Sequence, residues 1–555
     1  MRTFPPLTLA YRREDWILPV ILADRAGTHA DKVYFREGEG RQRAWTYKQT
    51  FETANTIGHV LRELGYEPGD RLAIMMKNCP EYVLAWFGSA VAGVAEVPIN
   101  PEYSGAFLEH SVNLMLPRGV VTAPSLVSAF VASAKNLPAT LEFFVVDEGE
   151  GVDAALEELR RAGWSAERFE ILYGANISPL AVSLRREDLG AIISTSGATG
   201  PSRGVMMCNA QLYFFAEQTK NVMRLTESDV MQLALPMFHG NAQLQTVYPA
   251  LIAGASFVMY EKFSPTRFVS RVREAGITVA NFVGVMLDWV WRQPATPTDA
   301  DNALRCILSA PTPAAIAADF RKRFGVEATP ENFGQTEICL PFLAPYGEER
   351  PAGAAGVLCD EFFDVRLVDP RTDQEVPIGQ VGELVVRTKE PWLLTLGYWG
   401  MPQVTADTLR NQWFHTGDGL KRDEAGWYYF TDRIKDALRR RGENISAFEV
   451  EQAVLAHPEV AECAVIAVPS EYRGGEDEVM AVIALKGAVE PERVIEWCTA
   501  RMPRFLRPRY WRVVAQLPRT PSKKVDKATL VRDGLTADTV DREPPSIGQP
   551  GRERN

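Results

Sequence analysis

Apolar runs of strand length alternate with helix-like stretches over most of the first 360 residues of this chain. The run 71–76 is followed by a helical stretch within 82–95 and a strand at 96–99. The runs 143–146, 191–193 and 256–260 read as further strands, most with helical stretches behind them. Returning to a parallel neighbour takes a helix's length of chain, so the alternation predicts α/β layers with largely parallel sheets. From residue 362 the pattern changes. Residues 363–368 and 382–387 alternate in period two around a turn at 377–380, and 426–430 adds a strand, which predicts a β-rich subdomain with one exposed face.

At 555 residues the chain is too long for one core. The expected fold class is α/β. A large N-terminal domain, 1–433, holds layered α/β subdomains and a small β-rich subdomain at about 355–431. A C-terminal α+β domain follows at 434–533, and the Pro-, Gly- and charge-rich tail 534–555 is expected to be disordered.

A net charge of −11 argues against a general nucleic-acid binder. The seven cysteines (Cys79, Cys208, Cys306, Cys339, Cys359, Cys463, Cys498) form no C-x-x-C pair, which fits reduced thiols and neither a disulfide framework nor a zinc site. The N-terminal region shows no secretory pattern, and the apolar segment 82–95 is too short to span a bilayer. The expected compartment is the cytoplasm, with no integral membrane contact.

The stretch Ile193-Ser-Thr-Ser-Gly-Ala-Thr-Gly-Pro-Ser-Arg-Gly204 follows a buried-strand run with hydroxyls and glycines. Such a turn can aim N–H and O–H groups at phosphate oxygens, although many Ser/Gly turns are only turns. It does not fit the G-x-x-x-x-G-K-[ST] pattern. After it come Asn332-Phe-Gly-Gln-Thr-Glu337, His415-Thr-Gly-Asp418, Asp432-Arg-Ile-Lys-Asp436, Arg441-Gly-Glu-Asn-Ile445 and Pro518-Arg-Thr-Pro-Ser-Lys-Lys-Val525.

In this order and at these separations the motifs resemble the adenylate-forming superfamily: acyl-CoA synthetases, peptide-synthetase adenylation domains and beetle luciferases. Residues 439–451 are most similar to the carnitine/crotonobetaine-type CoA ligases. The resemblance implies an acid-thiol ligase that makes an acyl-AMP from a carboxylic acid and ATP and passes the acyl group to coenzyme A. The small domain would alternate between two poses about a hinge at Lys435.

The same resemblance implies the site. Thr195, Ser196, Gly197, Thr199, Gly200 and Arg203 would wrap the ATP phosphates. Thr336 would bond the α-phosphate, and Glu337 would hold Mg²⁺. Phe333 would stack on adenine against Ser309, Ala310 and Pro311, with Asn332 at the adenine edge. Asp418 would accept from the ribose hydroxyls, with Arg433 near ribose and phosphate. Lys524 would bridge carboxylate and α-phosphate as the catalytic lysine. His239, Phe282, Val283, Gly284 and Gly334 would line the acyl pocket. Arg441, Gly442 and Arg473 would meet CoA, as would the arginines 501, 504, 507 and 509, which read equally well as a solvated basic face.

The chain also departs from the pattern it resembles. Ala198 replaces a hydroxyl, Pro201 comes one place early without an N–H, Arg203 stands for Lys, and Lys523 stands for Gly beside Lys524. Three alternatives stay open. One is a ligase deficient in adenylation, which converts acyl-adenylate supplied by a separate adenylating enzyme. Another is a non-catalytic nucleotide or acyl-AMP binder, and the third is a luciferase-like oxygenase. The acid and the oligomeric state are not legible.

Overall fold

A computed structural model describes residues 2–147, 149–195, 203–310, 312, 314–433, 438–440, 443–445, 447–469, 477–487, 489–502, 506–520 and 524–542. The chain divides into two compact units. One comprises Met1–Val365, Val385–His415 and Arg422–Tyr429; the other comprises Arg366–Leu384, Thr416–Lys421 and Phe430–Asn555. The division is therefore not the single cut expected after residue 433, because the chain passes between the units several times.

In the first unit a seven-stranded sheet runs in the spatial order Ser165–Arg168, Glu142–Val145, Gly119–Thr122, Arg71–Met75, Ala95–Pro98, Leu189–Thr195, Arg203–Cys208. All neighbours are parallel except the last pair. A central strand of such a sheet is covered on both faces, which is why 72–75 reads as an unbroken apolar run and is wholly buried. The helix Pro80–Ala92 starts with proline in its first turn and ends at Gly93 with φ of +75°, and nearly every residue in it is buried. The 82–95 stretch is thus a core helix, as expected. No helix among the described residues is long and apolar enough to cross a membrane.

A second sheet has the order Cys306–Ala310, Val279–Val283, Val230–Leu233, Ser256–Met259, Val33–Glu37, Ala44–Thr46 and is parallel except for its last pair. In open parallel sheets ligands bind beyond the carboxyl ends of the strands. Three of those ends lead straight into residues singled out in the sequence: 230–233 into the His239 loop, 279–283 into Gly284, and 306–310 through Ser309 and Ala310.

An antiparallel run, Asn332–Gln335 with Cys339–Leu343 and then Gly356–Leu358, completes the part of the first unit that bears on the site. The period-two segments form the strands Phe363–Val368 and Gly382–Thr388, and the turn between them is closed by Gln380 N–H donating to the Pro377 carbonyl at 3.1 Å.

The second unit carries a sheet ordered Val460–Pro469, Asp477–Leu485, Tyr510–Val513, Thr539–Asp541, with helices Ala447–Leu455, Pro491–Arg501 and Lys527–Asp533. Val450, Val465, Ile483 and Trp511 are central to its core. The disorder expected over 534–555 needs correction at residues 539–541. Thr539–Asp541 pairs antiparallel with Tyr510–Val513, and Arg509 grips Asp541 with two hydrogen bonds of 3.0 and 2.9 Å. Arg509, buried and paired, is consequently a structural residue and not part of a solvated phosphate-binding face.

Candidate active site

The hydroxyl- and glycine-rich stretch joins two antiparallel strands, with Thr195 opposite Arg203 at the base of the hairpin. Ser196, Gly197, Ala198, Thr199, Gly200 and Pro201 lie outside the described residues. Gly204 is required by packing, since a Cβ there would meet Met115 Sδ at 2.6 Å and Ile192 Cγ2 at 2.8 Å. Segment 395–399 lies along the second strand of the hairpin: Trp399 N–H donates to the Gly204 carbonyl (2.8 Å), Met206 N–H to Gly397 (3.0 Å) and Leu396 N–H to Met206 (2.9 Å).

This strap connects the hairpin to the turn that carries Thr336 and Glu337. Thr395 N–H donates to the Glu337 carbonyl at 2.8 Å, and the Tyr398 hydroxyl donates to Glu337 Oε1 at 3.1 Å. The Arg203 guanidinium stacks 5.3 Å from the Tyr398 ring centroid, within cation–π range. Burial, reinforced by the adjacent Glu337 carboxylate, pushes the Tyr398 hydroxyl well above the ordinary tyrosine range, so it remains a donor at any physiological pH.

The turn is held from below as well. Gln211 is fully buried and donates through Nε2 to the carbonyls of Thr336 (3.0 Å) and Glu337 (3.1 Å). Gly334 has its own structural reason: a Cβ there would sit 1.9 Å from the Cys339 carbonyl oxygen, so the hairpin closes only with glycine. Glu337 is the single acidic side chain on this turn. That suits Mg²⁺, which commonly takes one or two carboxylates and completes its shell with substrate phosphates and water.

Along the carboxyl edge of the second sheet, Ser309 is buried on its strand and its carbonyl accepts from the Thr312 hydroxyl at 2.9 Å. Ala310 is partly exposed at the strand end, and Pro311 lies outside the described residues. Phe333 is half-buried, 5.9 Å from Phe342. His239 is exposed beside Phe238, at the start of the short helix Gly240–Ala242, which continues as the π-helix Gln243–Val247.

Two expectations change here. Phe282 was expected to wall the acyl pocket, yet its ring packs into the core against Phe263 and Phe268, with centroids at 5.3 and 5.1 Å. Strand residues alternate faces. Asn281 and Val283 take the opposite face, and Val283 is exposed. Gly284 opens the next helix. Asn332, expected at the adenine edge, is buried and donates to Gln245 Oε1 at 3.4 Å.

In the second unit Asp418 is buried; its backbone N–H meets the Thr416 hydroxyl at 3.1 Å, and Gly417 N–H meets Glu383 Oε1 at 3.1 Å. Lys524 is exposed, and Thr520 N–H donates to its carbonyl at 2.8 Å. Arg433 ends the strand Trp427–Arg433. Lys435, Arg441, Gly442, Arg473, Arg504 and Lys523 lie outside the described residues. A cleft of about 530 Å³ lined by Arg41, Arg43, Trp45, Glu81 and Tyr173 shares no residue with the candidate site, and Arg43 is already paired with Glu37 and Glu81.

Residues 22–399 match the AMP-binding enzyme family, and residues 449–524 match the AMP-binding enzyme C-terminal domain. The chain belongs to the AMP-binding enzyme family. Crotonobetaine/carnitine–CoA ligase of Salmonella typhi is 29% identical over 516 residues, covering 91% of this chain and 97% of that protein. ATP-bound MatB from Rhodopseudomonas palustris superposes with a TM-score of 0.80 at 26% identity, over 93% of this chain and 98% of its own. The anthranilate CoA ligase AuaEII, in complex with anthranoyl-AMP, shares the fold with a TM-score of 0.79 at 24% identity, over 95% and 97% of the two chains. This AMP-binding enzyme is an adenylate-forming protein of the acyl-CoA ligase group. Tyr398, Gln211, Asn241 and Asn281 escaped the sequence reading; strand alternation on either side of Phe282 was the available signal for Asn281.

Proposed function

We propose that this AMP-binding enzyme is a complete acyl-CoA ligase that works in two half-reactions with domain alternation. An oxygen of the acid attacks the α-phosphorus of ATP and pyrophosphate leaves with the bonding electrons; the CoA thiol then attacks the acyl carbonyl and AMP leaves. Phosphoryl transfer depends on positioning and charge neutralisation, so the protein's task is to place donors and cations.

In this reading Thr195, Ser196, Gly197, Thr199 and Gly200 cradle the phosphates, with Arg203 as the cation at the hairpin base. Thr336 donates to the α-phosphate. Glu337, held by Tyr398, ligates Mg²⁺, which neutralises phosphate charge when bound. Phe333 stacks on adenine against Ser309, Ala310 and Pro311. Asp418 accepts from the ribose hydroxyls, with Arg433 nearby. Lys524 bridges carboxylate and α-phosphate in the adenylating pose, and rotation about Lys435 brings Gly442, Arg441 and Arg473 to CoA. His239 stands at the mouth of the acyl pocket.

The observation that carries the reading is the network from Arg203 through Tyr398 to Glu337, which ties the phosphate hairpin to the carboxylate at the metal position. It also supports the complete reaction over a chain confined to the second half-reaction and dependent on a separate adenylating enzyme, because the substituted Arg203 still keeps a cation on the Tyr398 ring, whose hydroxyl bonds Glu337. The test is acid-dependent exchange of labelled pyrophosphate into ATP. Exchange above the no-acid control is expected; its absence across a broad acid panel would exclude adenylation.

A further inference from the structure

The helical segment after His239 places Asn241 and Gln245 four residues apart, hence on one face. Each meets an amide from a different strand. Asn281 Nδ2 donates to Asn241 Oδ1 at 2.6 Å, and Asn332 Nδ2 donates to Gln245 Oε1 at 3.4 Å. Between those two strands, in the sheet and then along the chain, runs Cys306–Ala310, which pairs with Val279–Val283 and whose Ser309 N–H donates to the Pro330 carbonyl at 3.2 Å. Two amide pairs, Asn241 with Asn281 and Gln245 with Asn332, are therefore strung along the helical segment that follows His239.

Their hydrogen-bonding capacity is not exhausted. Asn281 is 4% exposed, yet its Oδ1 has no partner among the described residues. The amide N–H groups of Asn241 and Gln245 likewise donate to none of the described residues, since each side chain engages only as an acceptor. A polar atom as buried as Asn281 Oδ1 costs free energy unless a ligand or water pairs it. A π-helical turn, Gln243–Val247, carries Gln245, and such bulges concentrate at functional sites. No charged side chain hydrogen-bonds any of the four amides among the described residues, so the set complements a neutral group that both donates and accepts.

Resting on the ligase reading above, we infer that the acyl pocket selects a short carboxylic acid bearing a neutral hydrogen-bonding substituent, a hydroxyl or amide, read by Asn241, Asn281 and Gln245. A long alkyl chain would bury these amides unpaired. Sites built to bond a substrate hydroxyl discriminate strongly against analogues that lack it.

The experiment is calorimetric binding of two non-reactive acyl-sulfamoyl adenosines to the full chain, one carrying a 4-hydroxybutanoyl group and the other the near-isosteric pentanoyl group. The hydroxylated analogue should bind at least about tenfold tighter. Asn241→Ala and Asn281→Leu should each remove most of that difference while leaving AMP affinity unchanged; the partly exposed Asn241 serves as the variant that keeps the fold if Asn281→Leu does not. Equal binding, or tighter binding of the pentanoyl analogue, overturns the polar pocket. Failure of both analogues and of AMP to bind would instead overturn the ligase reading on which it rests.

Discussion

Tyr398 donates its hydroxyl to Glu337 Oε1 at 3.1 Å while its ring receives the guanidinium of Arg203. One side chain thus links the cation at the base of the hairpin to the carboxylate proposed to hold Mg²⁺. Arg203 stands where the motif resemblance leads one to expect lysine, and a flat guanidinium can stack on a ring more completely than a compact ammonium. The substitution and the stacking partner make physical sense together.

Tyr398→Phe removes the hydroxyl and keeps the ring. Hydrogen bonds to charged groups are worth about 1.5–3 kcal/mol, so kcat/KM for MgATP should fall by about tenfold to a hundredfold. Conversion of supplied acyl-adenylate to acyl-CoA should change little. An equal loss in both half-reactions would contradict the assignment of Tyr398 to the phosphate and metal side.

Gly334→Ala would set a Cβ 1.9 Å from the Cys339 carbonyl oxygen, a backbone atom that cannot move aside cheaply. Destabilisation by more than about 3 kcal/mol is expected, in the range of severe steric mutants. Thermal melting measures it, and a midpoint close to that of the parent would refute the close approach.

How much of this was legible in the sequence follows from what each residue depends on. The alternating layers, the core helix before Gly93 and the period-two strands after residue 362 are local patterns, so hydrophobic spacing sufficed. Glu337, Asp418 and Lys524 sit in motifs whose order is itself a signal. Tyr398 was invisible because its role depends on a strap pairing with a strand nearly 200 residues earlier in the chain. Phe282 misled because the resemblance carried a whole segment over as pocket wall, while strand alternation turns its ring into the core and presents Asn281. The strand Thr539–Asp541 was hidden by its polar composition; Arg509, not an apolar face, holds it.

Glu96 offers a pH test. Its carboxyl is fully buried, accepts from Gln243 Nε2 at 2.9 Å, and is pushed up to about 8 chiefly by desolvation, against smaller opposing effects from Gln243 and Tyr82. A folded-state value above the unfolded one makes the stability contribution fullest below the ordinary carboxylate range, at about pH 4, and erodes it as pH rises to 8. Glu96→Gln, which keeps the shape, should therefore flatten the fall in melting temperature between about pH 5 and 8. Parallel pH profiles for parent and variant would contradict a neutral buried carboxyl.

Lys524→Ala should abolish pyrophosphate exchange while sparing thioester formation from supplied adenylate, because the bridging charge serves only the first step in the proposed cycle. Loss of both activities would place Lys524 in a shared structural role.

The most direct test of the central claim follows acyl-CoA by mass spectrometry with CoA present throughout. One arm supplies hydroxy- and amide-bearing acids with ATP and Mg²⁺, and the other supplies the matching synthetic acyl-adenylates. The complete-ligase account predicts acyl-CoA from both arms. Product from the adenylates alone would contradict it and assign this chain to the second half-reaction.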